Sequence, residues 1–346
     1  FYSACFHRIL AGYFIDFEIK GYFSTPYSLK SIITHQMNTA GRLVHWLGIG
    51  ASISCLGYVI YQIWATRIWQ IETIAGIEAL SIILFGSLIA AFAGLFLAES
   101  WFLSMRWLGD KLAHRALCYS IYGRTQIAKY LPGNVFHFAG RQIIGSQCGL
   151  SNSKMFGALW IEILGLAGTA AVIASFSLQL FILPEWLVFI APILAILVLI
   201  ISPVLLLQIF RRLPPRMGFV MPTKTLKTQV FSFFRIYTLH FCQATCLGLC
   251  LWLIMIAINA GEAPSLQSSM AIAALAWVVG FVIPGASAGA GIREATLIFL
   301  LSSLIGEPNA IISAVVLRVI TLLGDALFFI FSVIVLPSPE KVRKSE

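Results

Sequence analysis

Charge is what this sequence lacks most. Only 11% of its 346 residues are Asp, Glu, Lys or Arg, whereas soluble domains carry about 25%. A soluble fold of this length needs far more polar side chains to cover its surface. The shortage excludes a large cytosolic catalytic module, a Rossmann domain and a nucleic-acid reader. Acidic residues are the scarcer kind, 14 against 23 Lys and Arg, for a net charge of +9. In an apolar chain that excess points to basic cytoplasmic loops beside anionic lipid, and no nucleic-acid partner is expected. Metal and nucleotide motifs are missing too, with no CxxC, HExxH or ATP-binding pattern. No metal site, cofactor or catalytic residue is therefore expected. The seven cysteines form no disulfide framework. Cys242, Cys246 and Cys250 recur every fourth residue, a single helical stripe of small packing side chains.

What is present is apolar. Hydrophobic residues make up 59% of the chain and the mean hydropathy is +0.91. The fold class is all-α, a polytopic integral membrane protein with about eight spans of about 20 residues each. Residues 1–36 mix aromatic and polar side chains without a long apolar run, and the first Met is Met37. They read as an extra N-terminal segment, foreign to the membrane domain or an amphipathic surface helix. The transmembrane domain is placed at 37–346. Runs 43–64, 79–102, 154–181, 187–209, 236–259 and 310–336 are long enough to span. Run 267–283 is marginal. Run 292–305 rises only about 21 Å against about 30 Å of hydrocarbon. The stretch 117–146 is cut by Pro132-Gly133 into pieces too short to span.

Charge orients the domain. Arg106, Lys111, Arg115, Arg124, Lys129, Arg141 and Lys154 lie between the second and third spans; Arg211, Arg212, Arg216, Lys224, Lys227 and Arg235 lie between the fourth and fifth. Lys341, Arg343 and Lys344 end the chain. The opposite loops hold Glu72, Glu78, Glu185, Glu262 and Glu307, with Arg67 their one basic residue. The positive-inside rule then puts both ends of the membrane domain in the cytoplasm, as eight crossings require.

Two segments break the apolar pattern. One runs from Lys129 through Pro132, Gly133 and Asn134 to His137 and Arg141. The other runs from Pro284 through Gly289 and Gly291 to Arg293 and Glu294. Pro and Gly end helices, and irregular backbone at membrane depth is tolerated only inside protein or along a cavity. A matched pair of such broken or re-entrant segments points to a transport site. A half-helix that begins inside the protein offers free N–H groups and a positive dipole end, an anion seat. Arg141 and Arg293, each nine residues after its Pro, add planar forks for phosphate. Tight turns with Arg side chains snorkelling to headgroups would give the same pattern.

Further charges fall within apolar runs. Glu162 is mid-span. Arg318 and Asp325 share one face of the last span but sit about 10 Å apart along it, so each needs another partner, Glu162 or Glu294 in the case of Arg318. Glu99 reads as interfacial, and His240 as a hydrogen-bonded packing residue. Gly285-Ala286-Ser287-Ala288-Gly289 matches G-x-S-x-G, but here it joins two apolar helices, and no nucleophilic role is expected of Ser287.

The Lys-Tyr-Leu-Pro-Gly…Gly-Arg stretch at 129–141 and the Pro…Gly-x-Gly-x-Arg-Glu-Ala stretch at 284–295, with Glu162 and Arg318, resemble the lysylphosphatidylglycerol synthase transmembrane family, also called flippase-like domain proteins. The likeness covers roughly 37–336. It departs at Ser287-Ala288-Gly289, where that family often has Pro-Gly-Gly. The resemblance implies a stand-alone member without the soluble aminoacyl transferase domain, in a bacterial cytoplasmic (inner) membrane. It implies translocation of an anionic phospholipid or lipid-linked glycan. Lys129, Pro132, Gly133, Asn134, Arg141, Glu162, Gly289, Gly291, Arg293, Glu294, Arg318 and Asp325 are then the expected substrate-binding residues. Alternatives are a membrane-embedded transferase acting on a polyprenyl-phosphate or phospholipid, with Glu162 or Glu294 as base, and a non-catalytic partner of a lipid or glycan synthase. A homo-oligomer is compatible with all three.

Overall fold

The computed structural model describes residues 77–131, 135–176, 185–212, 226–258, 264–283 and 287–337, with short pieces between 50 and 64. Residues 1–49, Pro132, Gly133, Asn134, 284–286 and 338–346 lie outside the described residues. So do several parts of the expectations above: the N-terminal segment, much of the first apolar run, the Pro and Gly of the first break, and the basic tail.

Every regular element among the described residues is helical. In chain order they are α1 (Ile77–Trp107), α2 (Arg115–Gln126), α3 (Phe136–Gln147), α4 (Asn152–Ser175), α5 (Glu185–Arg212), α6 (Leu226–Ala257), α7 (Leu266–Val282), α8 (Ile292–Ile305) and α9 (Glu307–Ile334). Two 3₁₀ turns interrupt them, at Ile127–Tyr130 after α2 and at Ser287–Gly289 between α7 and α8. Both fall in the two segments where Pro and Gly interrupt the apolar pattern.

Among the described residues, four helices are long and apolar enough to cross a membrane: Leu80–Trp107, Asn152–Ser175, Val230–Ala257 and Glu307–Ile334. The stretches Phe189–Leu199 and Leu266–Phe281 are apolar but shorter. Of the expected crossings, about eight, these four meet the length and composition of a span among the described residues. The 14 residues of α8 are too few to cross alone, as their length foretold.

The sequence explains the helix ends. Asp110 anchors the turn into α4: its carboxylate accepts from the backbone N–H of Leu112 at 3.1 Å and of Ser151 at 3.0 Å. Ser265 caps α7 by accepting from Ser268 N–H at 3.2 Å. Within the apolar helices hydroxyls satisfy themselves on the preceding turn, as Ser87 on Ile83, Ser104 on Ser100 and Thr169 on Gly165. A hydroxyl bonded this way carries no unmet polarity into hydrocarbon.

Helix α1 packs along α6 and α9. One core gathers Trp101 and Met105 of α1, Ile121 and Tyr122 of α2, Ile161 of α4, Phe233 of α6 and Phe328 of α9. A second joins Ile254 and Met255 to Leu297, Leu301, Ile311 and Leu317. Small residues allow close crossings, the usual device where lipid removes the hydrophobic drive between helices. A methyl on Gly324 would stand 2.5 Å from Ala90 Cβ, and one on Gly248 would stand 2.5 Å from Met270 Cα. Large apolar side chains remain outside, including Phe92 on α1, Phe189 and Ile193 on α5, Phe299 on α8 and Ile334 on α9. A multi-pass membrane protein accounts for such a surface.

Candidate functional site

The two 3₁₀ turns contact each other and frame one cavity of about 110 Å³. Lys129, Tyr130, Ala288 and Gly289 line it from the turns, Arg141 from α3, Glu162 from α4, Arg293 from α8, and Arg318 and Asp325 from α9. That volume holds several waters or one compact polar group.

Backbone contact closes one wall. A Cβ on Gly289 would lie 3.1 Å from Gly280 Cα, and Gly289 has φ +69°. Its neighbour Ala288 also has positive φ, at 48°, a conformation that costs a non-glycine residue free energy. Arg318 Nη1 donates to the Ala288 carbonyl at 3.1 Å, which ties the strained turn to α9. Past the turn, Gly291 N–H donates to Glu294 Oε2 at 2.6 Å. The N-terminus of α8 is thus already capped by its own carboxylate.

The charges pair across helices. Arg141 Nη1 meets Glu162 Oε2 at 2.6 Å, and the Tyr122 hydroxyl donates to Glu162 Oε1 at 2.7 Å. The Arg141 guanidinium also lies over the rings of Tyr122 and Phe138, 4.1 and 5.1 Å from their centroids. Lys129 Nζ meets Asp325 Oδ2 at 2.7 Å, and the Tyr130 hydroxyl donates to the same oxygen at 2.5 Å. Arg318 Nη1 lies 3.4 Å from Glu294 Oε1. Arg293 is different. It is 9% exposed and faces the cavity, its Nη2 has no hydrogen-bond partner, and none of the ion pairs among the described residues includes it. His137 Nδ1, Gln126 Oε1 and Arg141 Nε are also buried without partners. Buried polar atoms left this way call for water or a ligand.

Seven of the expected residues therefore line one space: Lys129, Arg141, Glu162, Gly289, Arg293, Arg318 and Asp325. Gly291 and Glu294 stand at the root of α8 beside it. Pro132, Gly133 and Asn134 lie outside the described residues. Of the partners considered for Arg318, Glu294 is the one it meets, while Glu162 belongs to Arg141. Lys129 and Arg141 were counted with the loop charges, yet Arg141 is 3% exposed and both hold ion pairs in the cavity. The basic loop charge near α2 rests instead on Arg106, Lys111, Arg115 and Arg124.

Sequence reasoning missed Tyr122, Tyr130, Gln126 and Gln243, which also line the cavity. A signal existed for two of them. Cys118, Tyr122 and Gln126 recur every fourth residue on α2, a short helix with little apolar character yet many buried residues. Other readings have simple outcomes. His240 lies 2.9 Å from Ser100 Oγ inside the core. Glu99 pairs with Arg115 at 2.9 Å and accepts from the Tyr119 hydroxyl at 2.9 Å. Ser287 opens a 3₁₀ turn between two helices, which is not the strand-to-helix elbow that a serine nucleophile needs. Among the described residues no cluster of His, Cys, Asp or Glu could hold a metal ion.

No protein-family model matches the chain, and no curated protein matches it.

Proposed function

We propose that the chain is a membrane lipid translocase, moving an anionic phospholipid or lipid-linked headgroup between leaflets of a bacterial inner membrane. The observation that carries the reading is Arg293, a buried guanidinium facing a polar cavity, whose Nη2 has no hydrogen-bond partner and which joins no ion pair among the described residues. A buried unpaired charge is strongly unfavourable, so an anion is the group the cavity needs. The cavity suits a headgroup, and the exposed apolar helix faces leave the acyl tails to the bilayer. The resemblance of 129–141 and 284–295 to the flippase-like domain family supports the same reading. In this proposal the chain crosses eight times, with α7 and α8 as short elements meeting at the broken segment, and both ends of the membrane domain face the cytoplasm. The sequence carries no ATP-binding motif, so transport is downhill or ion-coupled.

A membrane transferase would need a carboxylate free to act as base. Glu162, Glu294 and Asp325 are each engaged by a cation and a second hydrogen-bond donor, which favours the translocase.

The test is reconstitution in liposomes carrying a labelled anionic phospholipid. Redistribution of intact lipid between leaflets, lost in Arg293→Ala and impaired in Arg293→Lys, is the expected result. Lysine keeps the charge but not the planar fork, so full activity in Arg293→Lys would return this residue to snorkelling. A change in lipid mass would instead identify a transferase. Neither result would leave a partner role beside a lipid or glycan synthase.

A further inference from the structure

Resting on that reading, we propose that the cavity is matched to a single negative charge, so that its occupant is a phosphodiester and not a phosphomonoester, and that Glu294 sets this count. Among the described residues, four cations meet three carboxylates around the cavity. Glu162 is taken by Arg141, Asp325 by Lys129 and Glu294 by Arg318. Among the described residues Arg293 is the one cavity cation outside these pairs. A phosphodiester carries one negative charge and balances it. A doubly ionised phosphomonoester would bury one uncompensated charge, which low-dielectric surroundings penalise heavily.

Glu294 is the member of the set whose charge can be removed with least disturbance. Glu162 and Asp325 hold neighbouring elements together through Tyr122 and Tyr130. Glu294 instead caps its own helix through Gly291 N–H at 2.6 Å and stands 3.4 Å from Arg318, which also holds the Ala288 carbonyl. Glutamine at 294 can still accept from Gly291 N–H, so the cap survives while the charge goes. Arg318 then joins Arg293 as a surplus cation, and the balance favours a dianion. Aspartate at 294 does the reverse, keeping the charge while shortening the reach to the cap.

The same single charge could arrive on a lipid or on a soluble phosphodiester. Purified protein in nanodiscs of zwitterionic lipid is therefore offered three probes at pH 9, well above the second ionisation of a phosphomonoester, which a bilayer surface raises from its value of about 6 in water. They are phosphatidylglycerol, phosphatidic acid with the same acyl chains, and tail-free glycerophosphoglycerol. Retained ligand is read by native mass spectrometry. Wild type should prefer phosphatidylglycerol over phosphatidic acid by about tenfold, a difference of about 1.4 kcal/mol. Glu294→Gln should move that ratio toward phosphatidic acid by at least about tenfold. Glu294→Asp should keep the wild-type preference, and Arg293→Ala should lose both lipids. Equal retention of the two lipids by wild type, or an unchanged ratio in a folded Glu294→Gln protein, overturns the charge match. A shift in Glu294→Asp equal to that in Glu294→Gln makes Glu294 a cap alone and overturns it as well. Glycerophosphoglycerol displacing phosphatidylglycerol at equal concentration supports the charge match and assigns the site to a soluble diester. Preference without leaflet exchange in liposomes sinks the translocase and leaves the charge match standing. Exchange without preference does the opposite.

Discussion

Arg141 Nη1 and Glu162 Oε2 lie 2.6 Å apart with side chains only 4% and 5% exposed, and the Tyr122 hydroxyl completes the carboxylate at 2.7 Å. This is a structural pair before it is anything else. It joins α3 to α4 and to α2, and it forms part of the wall of the cavity that Arg293 also lines. Its aromatic cover, the rings of Tyr122 and Phe138, shields the guanidinium further.

Breaking the pair on one side should cost more than removing both charges. Glu162→Ala leaves Arg141 buried without its carboxylate, and a loss of about 3–5 kcal/mol is expected. Glu162→Leu combined with Arg141→Met should recover most of it, because neither charge is then stranded. Thermal unfolding of the purified protein in detergent makes the comparison. A double variant less stable than Glu162→Ala would show that the pair contributes more than mutual neutralisation.

Two glycines with equally tight surroundings should respond differently. A methyl on Gly145 would come within 2.3 Å of Met155 Sδ, whereas one on Gly248 would come within 2.5 Å of Met270 Cα. A methionine side chain can swing away. A backbone atom moves only if α7 moves against α6, and overpacking of that kind costs about 1–3 kcal/mol. Gly248→Ala should therefore lower the melting temperature clearly more than Gly145→Ala. Equal losses would mean that the α6–α7 crossing yields as readily as a side chain.

Asp325 holds Lys129 and Tyr130 together and so tethers the first 3₁₀ turn to α9. Asp325→Asn should release the Lys129 amine. Labelling of Lys129 by an amine-reactive reagent, mapped by peptide mass spectrometry, should be slow in wild type and severalfold faster in the variant. Unchanged labelling would place the tether elsewhere. The result is independent of any assumption about the transported group.

The proposed orientation has its own check. A reporter fused after Glu346 should be active in the form that works only in the cytoplasm, because basic residues dominate the loops assigned to that side. Activity of a periplasm-dependent reporter at that position would invert the arrangement.

The membrane class, the helical character and the two interruptions were decided by the sequence alone. Each depends on residues near one another in the chain: an apolar run makes a helix in lipid, and the two 3₁₀ turns fall where Pro and Gly cluster, whereas the isolated Pro192, Pro203 and Gly248 lie within helices. The polar residues that matter were visible for the same reason, since Glu162, Arg293, Arg318 and Asp325 are conspicuous within apolar surroundings. Tertiary structure alone decided who meets whom. Arg141 finds Glu162 across 21 residues, and Tyr130 finds Asp325 across 195. Such pairings depend on how the helices cross, on which side chains are short enough to let backbones touch, and on which carboxylate reaches a cation first. Hydropathy carries none of that information. It could nominate Arg141 and Arg293 as equivalent anion ligands, nine residues beyond their prolines, but the packing of α3 against α4 gave Arg141 a carboxylate, while no ion pair among the described residues includes Arg293.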